Sequence, residues 1–390
     1  MKEAVIVTAI RTPVARAHKG MLKDTRPDDL AAIVLKEAVD RTMGLDPNKI
    51  DDVLLGNAHP EAEAGYNIAR LATQIANLPD SIAAATINRF CASGLQTIVQ
   101  ASHSINLGMN DIVLAGGSDC TSRVPMGGYS IKKTFNPVLA KTAAYIAMGD
   151  TAENVARKYG ISREQQDKFA FNSHQKALKA WAEGKFDGHV IPVKTRVKDE
   201  DENWHEVVFA KDEGPRKATS IEKLATLRTV FAEDEKATVT AGNSSPLNDG
   251  AAVAVVMEAE QAKALGLKPL AKLVQAAVIG VDPAYMGIGP VPAIRKLLNK
   301  VSMTVDDIDL FEINEAFASQ AYYSQHELGI ADNKLNVNGG AIAIGHPLGA
   351  TGARIAADLF AEMNREQKEY GIISMCVGGG QGMAALFKLV

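Results

Sequence analysis

Cys91 occupies the position in this sequence that most clearly suggests chemistry. It lies in residues 88–94 (NRFCASG), a pattern typical of the end of a buried strand, a sharp turn and the start of a helix. The free N–H groups and the dipole of a helix's first turn favour a thiolate over a thiol, so Cys91 is a candidate nucleophile. The alternative is a small buried hydrophobe, which is how most free cysteines behave.

Three further polar residues occupy the same kind of position, a turn of small residues after a strand-like run. Cys376 is followed by the glycines of GGGQG, His346 lies in NGGAIAIGHPLG, and Asn314 follows the apolar run LFEI. Because α/β folds place their chemistry at the carboxyl ends of strands, we expect these side chains to meet Cys91 at one face of the protein.

These residue types suit a reaction that uses a sulfur nucleophile and moves a second proton. A nucleophilic cysteine needs a base, and His346 is the candidate. Cys376 could exchange a proton with carbon or with a thiol leaving group, since a thiol pKa of about 8 to 9 is close to working pH. Gly378 would let a backbone N–H approach an anionic oxygen, and Asn314 could hold a water or a carbonyl. Taken alone, Cys376 could equally be a core residue and His346 a solvated loop residue.

The composition argues against several classes of protein. The 390 residues can hold two or three domains. The net charge of −4 does not indicate the basic surface that binds nucleic acid or an acidic membrane. No apolar run is long enough to span a bilayer, and the N-terminus enters a strand at once, without room for a signal peptide. The C-terminus is not a peroxisomal address. Three widely separated cysteines (91, 120 and 376) fit a reducing cytoplasm better than disulfides or a zinc site.

Strand-like and helix-like segments alternate along most of the chain, which predicts a layered α/β fold. Residues 30–38 show the apolar spacing of a helix that begins near Pro27 and ends before Gly44, and residues 162–165 (SREQ) match a capping box. The strand-like runs fall at 5–8, 53–56, 112–117, 251–257, 270–279, 309–313 and 371–377.

The order of parts suggests a duplication interrupted by an insertion. Residues 121–245 are richer in charge and loops, which predicts an insertion lying over the α/β core. The second half then repeats the layout of the first but not its residues. Such a duplication would place both functional turns at one central face. The corresponding parts are Asn57 and Asn314 with their helices, the Cys91 and His346 turns, and the AGG at 115–117 and the Cys376 glycines.

Seven blocks in order resemble the thiolase family over nearly the full length of the chain. They are NRFC (88–91), GG (116–117), MGxTAENVA (148–156), TAGNSS (240–245), NEAFA (314–318), NxNGGAIAxGHPLG (336–349) and CxGGGQG (376–382). The resemblance implies a duplicated, layered α-β-α-β-α fold with an inserted loop domain. The N-terminal half would comprise residues 1–120 plus about 246–268, the loop domain 121–245 would cover the coenzyme A site, and the C-terminal half would comprise 269–390.

The resemblance also implies a role for each motif residue. Cys91 would carry the acyl group as a thioester, His346 would activate it, and Cys376 would act as the acid and base. Asn314 would hold a water in a first oxyanion hole, and the N–H groups of Cys91 and Gly378 would form a second. Coenzyme A would be a substrate, with no bound cofactor or metal. The positions that match its contacts are Arg216, Met148, Ser245, Ala316 and Phe317.

The activity implied is thiolytic cleavage of 3-ketoacyl-CoA to acetyl-CoA and a shortened acyl-CoA, with the reverse condensation, in fatty-acid β-oxidation. An acetoacetyl-CoA-specific biosynthetic enzyme is the first alternative, which assays with long and short substrates would separate. A non-catalytic CoA or lipid-carrier homologue would be expected to lack a cysteine or the histidine, and a ketosynthase would carry two histidines. The family habit predicts a homodimer or a dimer of dimers, a homotetramer, and leaves open whether a hydratase/dehydrogenase subunit binds.

Some positions depart from the more usual family pattern. Ala147 stands where short-chain biosynthetic members have a histidine, and Ser244-Ser245-Pro246 replaces Ala-Ser-Gly. Asp119, in GGSDC, stands where a glutamate is more usual. These differences bear on chain-length preference rather than on the chemistry, and Ala147 favours the degradative type.

Overall fold

The structure is a computed structural model that describes residues 2–199 and 201–390. The strands are β1 (Ala4–Arg11), β2 (Ala15–Arg16), β3 (Asp52–Gly56), β4 (Ala83–Ile87), β5 (Ile112–Cys120), β6 (Val193–Lys198), β7 (Trp204–Phe209), β8 (Asn248–Glu258), β9 (Lys272–Gly280), β10 (Leu310–Ile313), β11 (Tyr370–Val377) and β12 (Gln381–Lys388). The helices are α1 (Pro27–Arg41), α2 (Ile68–Ile75), α3 (Ser93–Asn106), α4 (Ile131–Thr134), α5 (Met148–Tyr159), α6 (Arg163–Ala182), α7 (Ile221–Ala225), α8 (Ala259–Ala264), α9 (Pro290–Val301), α10 (Ala318–Leu328) and α11 (Leu348–Glu366).

Two mixed sheets share one plan. The first has the strand order β1-β8-β5-β3-β4, with β2 paired to β8, and the second has the order β9-β12-β11-β10. In each sheet two antiparallel pairings are followed by a parallel one, β5 with β3 and β11 with β10. The second sheet has a short parallel bridge between Phe311 and Leu335 at the position that corresponds to the β3–β4 pairing of the first sheet. The duplication of layout predicted from the sequence is therefore present in the pairing.

The two sheets enclose a central layer formed by α3 and α11. Fifteen of the nineteen residues of α11 are buried, as expected of a helix covered on all sides. One apolar cluster joins both helices to both sheets through residues such as Ile98, Leu359, Val113 and Met375. A Cβ on Gly94 of α3 would lie 2.9 Å from the backbone N of Ala353, so the small residue lets the two helices pack closely.

The outer layers complete the predicted α-β-α-β-α arrangement. Apolar residues of α1 and α2 pack on the outer face of the first sheet, and those of α9 pack on the outer face of the second. The chain leaves β5 at Cys120 and returns in β8, the neighbouring strand, where Asp249 pairs with Cys120. The segment between contains α4 to α7 and the β6–β7 hairpin; the division of the chain into three domains remains a prediction.

Most elements predicted from the sequence are confirmed, with differences at their ends. The capping box is present, because the Gln165 N–H donates to Ser162 Oγ and the Ser162 N–H donates to Gln165 Oε1. Helix α1 ends at Arg41, within two residues of the end predicted just before Gly44, because Thr42 leaves helical geometry. Strand β12 was not predicted, since its start lies inside the glycine run that was interpreted as a turn. No helix of the described residues is long and apolar enough to cross a membrane.

Candidate active site

A strained turn between β4 and α3 carries Cys91. Phe90, the residue before it, has a φ of +43°, a left-handed conformation that non-glycine residues seldom adopt. Ser93 Oγ stabilises this turn by accepting the Arg89 N–H and donating to the Phe90 carbonyl. The turn directs Cys91 inward, where it is 6% exposed. Strain at such a position is typical of residues held for function.

The surroundings of the Cys91 sulfur favour the thiol rather than the thiolate. Burial raises the pKa of Cys91 to about 11, although the N–H groups of Gly378 and of Cys91 itself act to lower it. The expectation that the helix start would favour the thiolate was therefore wrong, because the loss of solvation outweighs the N–H groups that lower the pKa. Two apolar residues, Ala58 and Leu348, pack against this cysteine.

Cys376 approaches Cys91 from the other sheet. It lies near the end of β11 and is fully buried. Burial raises the pKa of Cys376, and the nearness of the Cys91 sulfur raises it further. Gly379 and Gly380, with φ of +77° and +82°, make the tight turn from β11 into β12 and leave the Gly378 N–H directed at the Cys91 sulfur.

His346 is fixed in one orientation in the loop before α11. Its Nδ1 lies 2.7 Å from Thr351 Oγ1, and that hydroxyl donates its own proton to the Pro347 carbonyl. Nδ1 must therefore carry the ring proton, which assigns an unprotonated Nε2. The His346 N–H donates to Asn248 Oδ1, and burial lowers the pKa of the imidazole to about 3. A neutral imidazole with an unprotonated Nε2 is the form that a general base requires.

Asn314 donates to the unprotonated nitrogen of His346. It follows β10, and its Nδ2 is 3.3 Å from His346 Nε2. Its Oδ1 is buried and has no hydrogen-bond partner among the described residues. Buried polar atoms are almost always satisfied, so this oxygen has capacity for a water or a substrate group.

Four of the five predicted coenzyme A contacts lie near Cys376. Met148, Ala316 and Phe317 pack with it in one apolar cluster, and the Ser245 N–H donates to the Ala316 carbonyl. The fifth contact, Arg216, is exposed, and its N–H donates to His174 Nδ1.

Several residues that shape the site were missed at the sequence level. Thr351 and Asn248 orient His346, while Met286 and Val239 join the cluster around Cys376. Thr351 carried a usable signal, because it lies four residues after Pro347 at the start of a helix, where its hydroxyl can bond backward. Asn248 carried none, since it reaches His346 only through the tertiary fold. No group of three or more His, Cys, Asp or Glu residues within 2–199 and 201–390 could hold a metal ion.

The layered duplicated fold and this constellation define a thiolase-type protein, and comparison with known proteins agrees. The thiolase N-terminal domain matches residues 4–260, and the thiolase C-terminal domain matches residues 267–389. The chain belongs to the thiolase family.

Individual relatives match over the full chain. A Bacillus subtilis protein named 3-ketoacyl-CoA thiolase is 50% identical, with all of both chains covered. The peroxisomal 3-ketoacyl-CoA thiolase 2 of Arabidopsis thaliana is 42% identical, covering 99% of this chain and 84% of its own length. Among solved structures, the Bacillus anthracis acetyl-CoA acetyltransferase superposes with a TM-score of 0.91 at 43% identity, covering 100% of this chain and 99% of that one.

Proposed function

We propose that this protein is a 3-ketoacyl-CoA thiolase that acts in fatty-acid degradation. The observation that carries the proposal is the meeting of two buried cysteines beside the Gly378 N–H. His346, which binds Asn314, lies two residues before Leu348, and Leu348 packs against Cys91. The names of full-length relatives at 42–50% identity support the same activity. A carrier homologue would need none of these groups in this arrangement.

In the first half-reaction Cys91 attacks the C3 carbonyl of the 3-ketoacyl-CoA. Its proton passes to His346 Nε2 as the sulfur–carbon bond forms, because a thiol of raised pKa and an imidazole of lowered pKa do not ionise beforehand. The C2–C3 bond then breaks, and Cys376 gives its proton to C2, so acetyl-CoA leaves. Cys91 is left as an acyl thioester and Cys376 as a thiolate.

In the second half-reaction the thiol of free coenzyme A replaces Cys91. The Cys376 thiolate takes the proton of the incoming thiol, whose sulfur attacks the thioester carbonyl. The Cys91 sulfur leaves and recovers its proton from His346, so every group returns to its starting state. The N–H groups of Cys91 and Gly378 and a water on Asn314 are the donors that we assign to the two oxyanions.

The pantetheine arm of coenzyme A would reach Cys91 along the apolar cluster of Met148, Ala316 and Phe317. Ser245 lies at the same place, since its N–H holds the Ala316 carbonyl. Arg216, an exposed cation, would meet a phosphate group of the nucleotide end.

The activity is tested by incubating the purified protein with coenzyme A and 3-ketoacyl-CoA substrates of four, six, ten and sixteen carbons. Acetyl-CoA and the shortened acyl-CoA should form in equal amounts, and Cys91→Ser should form neither. Binding of coenzyme A without cleavage of any substrate would contradict the proposal and favour a carrier.

A biosynthetic acetoacetyl-CoA enzyme is the second candidate. The solved relative with a TM-score of 0.91 is named acetyl-CoA acetyltransferase, a name that fits the condensation of two acetyl groups. Cleavage of the four-carbon substrate alone in the same assay would favour this candidate.

We also propose that the protein assembles with copies of itself, as a homodimer or a dimer of dimers, and works in the cytoplasm. Strand β4 pairs on one side only, and Ala83 at its start is exposed, so its free edge can add a strand. A second surface carries exposed apolar side chains in residues 126–145, namely Met126, Tyr129, Ile131, Phe135, Val138, Leu139 and Tyr145. Three free cysteines suit a reducing compartment.

A further inference from the structure

A buried carboxylate at the end of β5 has no part in the two half-reactions. Asp119 is 5% exposed, and its hydrogen-bond partners are uncharged. Burying a carboxylate without a cation is costly, so an Asp119 that only filled space would destabilise the fold. The partners it binds therefore indicate what it does.

The carboxylate joins the two halves of the site. Asp119 Oδ1 accepts a hydrogen bond from Asn57 Nδ2 at 2.9 Å, and Oδ2 accepts from the Ala58 N–H at 3.0 Å. The same Oδ2 accepts from the N–H of Gly349 in the first turn of α11. Asn57 and Ala58 directly follow β3 of the first sheet, whereas Gly349 is three residues after His346.

These partners are the immediate supports of the nucleophile. Ala58, whose N–H binds Asp119, packs against Cys91, and so does Leu348, the residue before Gly349. A shift of either N–H group would therefore move a wall of the Cys91 site. The first turn of α11 also contains Thr351, whose hydroxyl orients His346. A shift of this turn would therefore change the orientation of His346 as well.

We propose that Asp119 is a positioning residue that holds the Cys91 turn and the His346 loop at the separation required for acylation. The proposal rests on the proposed function, because it assumes that acyl transfer begins at Cys91. The carboxylate acts through two N–H groups and through the positive end of the α11 dipole. It does not touch the reacting atoms.

Positioning by Asp119 favours the reaction of Cys91, whereas the negative charge of Asp119 disfavours loss of the thiol proton. Asp119 is close enough to Cys91 to raise the pKa of that thiol. Removing the charge should therefore make Cys91 more acidic while leaving it less well placed. A folded variant with a more acidic Cys91 thiol and slower acylation is the result that the proposal predicts. A substitution that only loosened the structure would not be expected to combine these two effects.

The pKa of Asp119 also lies within the pH range of an acetylation assay. Burial raises the pKa of Asp119 to about 7. The titratable groups near it are Asp249 on β8, Cys91 ahead of α3, His59 in the segment that follows β3, and His346, three residues before the Gly349 that binds Asp119. The pKa of Cys91 lies near 11 and that of His346 near 3, and burial lowers the pKa of His59. A loss of acylation as the pH falls through about 7 that is present in the wild type and absent in Asp119→Asn would therefore report Asp119.

The test compares wild type with Asp119→Asn, Asp119→Glu and a control, Asp28→Asn, which removes a buried carboxylate whose hydrogen bonds go to Arg26 and the Asp29 N–H rather than to the Cys91 or His346 segments. Mass spectrometry gives the rate of Cys91 acetylation by acetyl-CoA from pH 5.5 to 9. Iodoacetamide alkylation of Cys91 against pH gives its acidity independently of coenzyme A. Thermal unfolding shows whether each variant is folded.

Asp119→Asn should acetylate about 10²-fold more slowly, the loss typical of a misplaced reacting group, with its alkylation profile displaced to lower pH. Asp119→Glu keeps the charge and the acceptors, so it should acetylate within several-fold of wild type, and Asp28→Asn should match wild type in both assays. If Asp119→Asn does not fold, the wild-type acetylation rate must still fall as the pH is lowered through about 7.

Acetylation of Asp119→Asn at the wild-type rate, Asp119→Glu as slow as Asp119→Asn, or a flat wild-type rate between pH 8 and 6 would overturn the proposal. Failure of the proposed function would look different. Wild type itself would then not be acetylated, while the alkylation profiles would still show whether Asp119 controls Cys91.

Discussion

At the scale of single residues, the site combines reactive groups with surroundings that keep them neutral. Burial raises the pKa of both thiols and lowers that of His346, so the resting site holds no thiolate–imidazolium pair. Reactivity must then arise when the substrate carbonyl enters and proton transfer accompanies bond formation. A buried, neutral nucleophile of this kind is protected from oxidation and alkylation, which act on thiolates.

Cys91 is expected to be the acylated residue. Cys91→Ser should lower turnover by about 10³-fold or more, because an alkoxide is much harder to form than a thiolate. After mixing with acetyl-CoA and rapid quenching, mass spectrometry should find one acetyl group on the Cys91 peptide of the wild type. An acetyl group on Cys376 or Cys120 would contradict the assignment, and Cys120→Ser, at a buried cysteine on β5, serves as the control.

Cys376 and His346 are expected to serve different steps. Cys376→Ala should still be acetylated at Cys91 to some extent but should not exchange carbon–carbon bonds, because C2 has no proton donor. His346→Ala should slow both half-reactions, by about 10²–10³-fold. Single-turnover acetylation measured beside steady-state thiolysis separates the steps. Full condensation activity in Cys376→Ala would show that the second cysteine is structural.

At the scale of elements, the start of a helix decides the geometry in three places. The turn into α3 places Cys91, the first turn of α11 orients His346, and the first residues of α5 place Met148 next to Gly378. A substitution at a helix start can therefore alter the reaction without touching a reacting atom.

Thr351 in α11 offers one such test. Thr351→Val keeps the shape but removes the acceptor for His346 Nδ1–H, so the ring should adopt the wrong tautomer in part of the molecules. We expect kcat to fall about 10-fold, within the range seen when a group that orients a histidine is lost. Thr73→Val is the matched control, since Thr73 on α2 makes the same backward bond to a carbonyl far from the site. An equal loss in both variants would contradict the tautomer assignment.

The start of α5 offers a test of substrate length. Ala147 is exposed at the N-terminus of α5, directly before Met148, and a Cβ on Gly378 would lie 3.8 Å from the Met148 sulfur. A small apolar residue there should admit longer chains, and each buried methylene contributes up to about 0.8 kcal/mol. We expect kcat/KM for a medium-chain substrate to equal or exceed that for acetoacetyl-CoA, and Ala147→His to reverse the order. An unchanged ratio in Ala147→His would show that other walls set the length.

At the scale of the whole molecule, the two sheets are asymmetric in what they leave uncovered. The second sheet ends at β10, whose neighbour is a short bridge to Leu335, whereas the first ends in the full strand β4 with a free edge. An uncovered edge strand is a ready template for another chain, and most soluble oligomers are symmetric.

We therefore expect a dimer or tetramer in solution. Light scattering after size exclusion should give two or four times the 41.5 kDa chain mass in a fully active sample. Thr86→Pro, in the edge strand β4, should lower the fraction of assembled protein, because proline interrupts an edge-to-edge pairing. A monomer mass for a fully active sample would contradict the expectation.

The sequence by itself determined the type of most elements and the identity of the reacting side chains. Polar residues after apolar runs predicted the positions of Cys91, Asn314, His346 and Cys376, because strand ends expose side chains at one edge of a sheet. Ser162 and Gln165 specified the start of α6 by a local hydrogen-bond pattern. Such features depend on neighbours within a few residues, which is why a linear pattern carries them.

Only the tertiary structure decided the state of those side chains. The pKa of Cys91 depends on burial by Ala58 and Leu348, which lie far from it in the sequence, and the tautomer of His346 depends on a hydroxyl of the helix that follows it. The link from Asp119 to Gly349 spans 230 positions. Desolvation and long-range hydrogen bonds are properties of packed groups, so a pattern of residue types along the chain does not contain them.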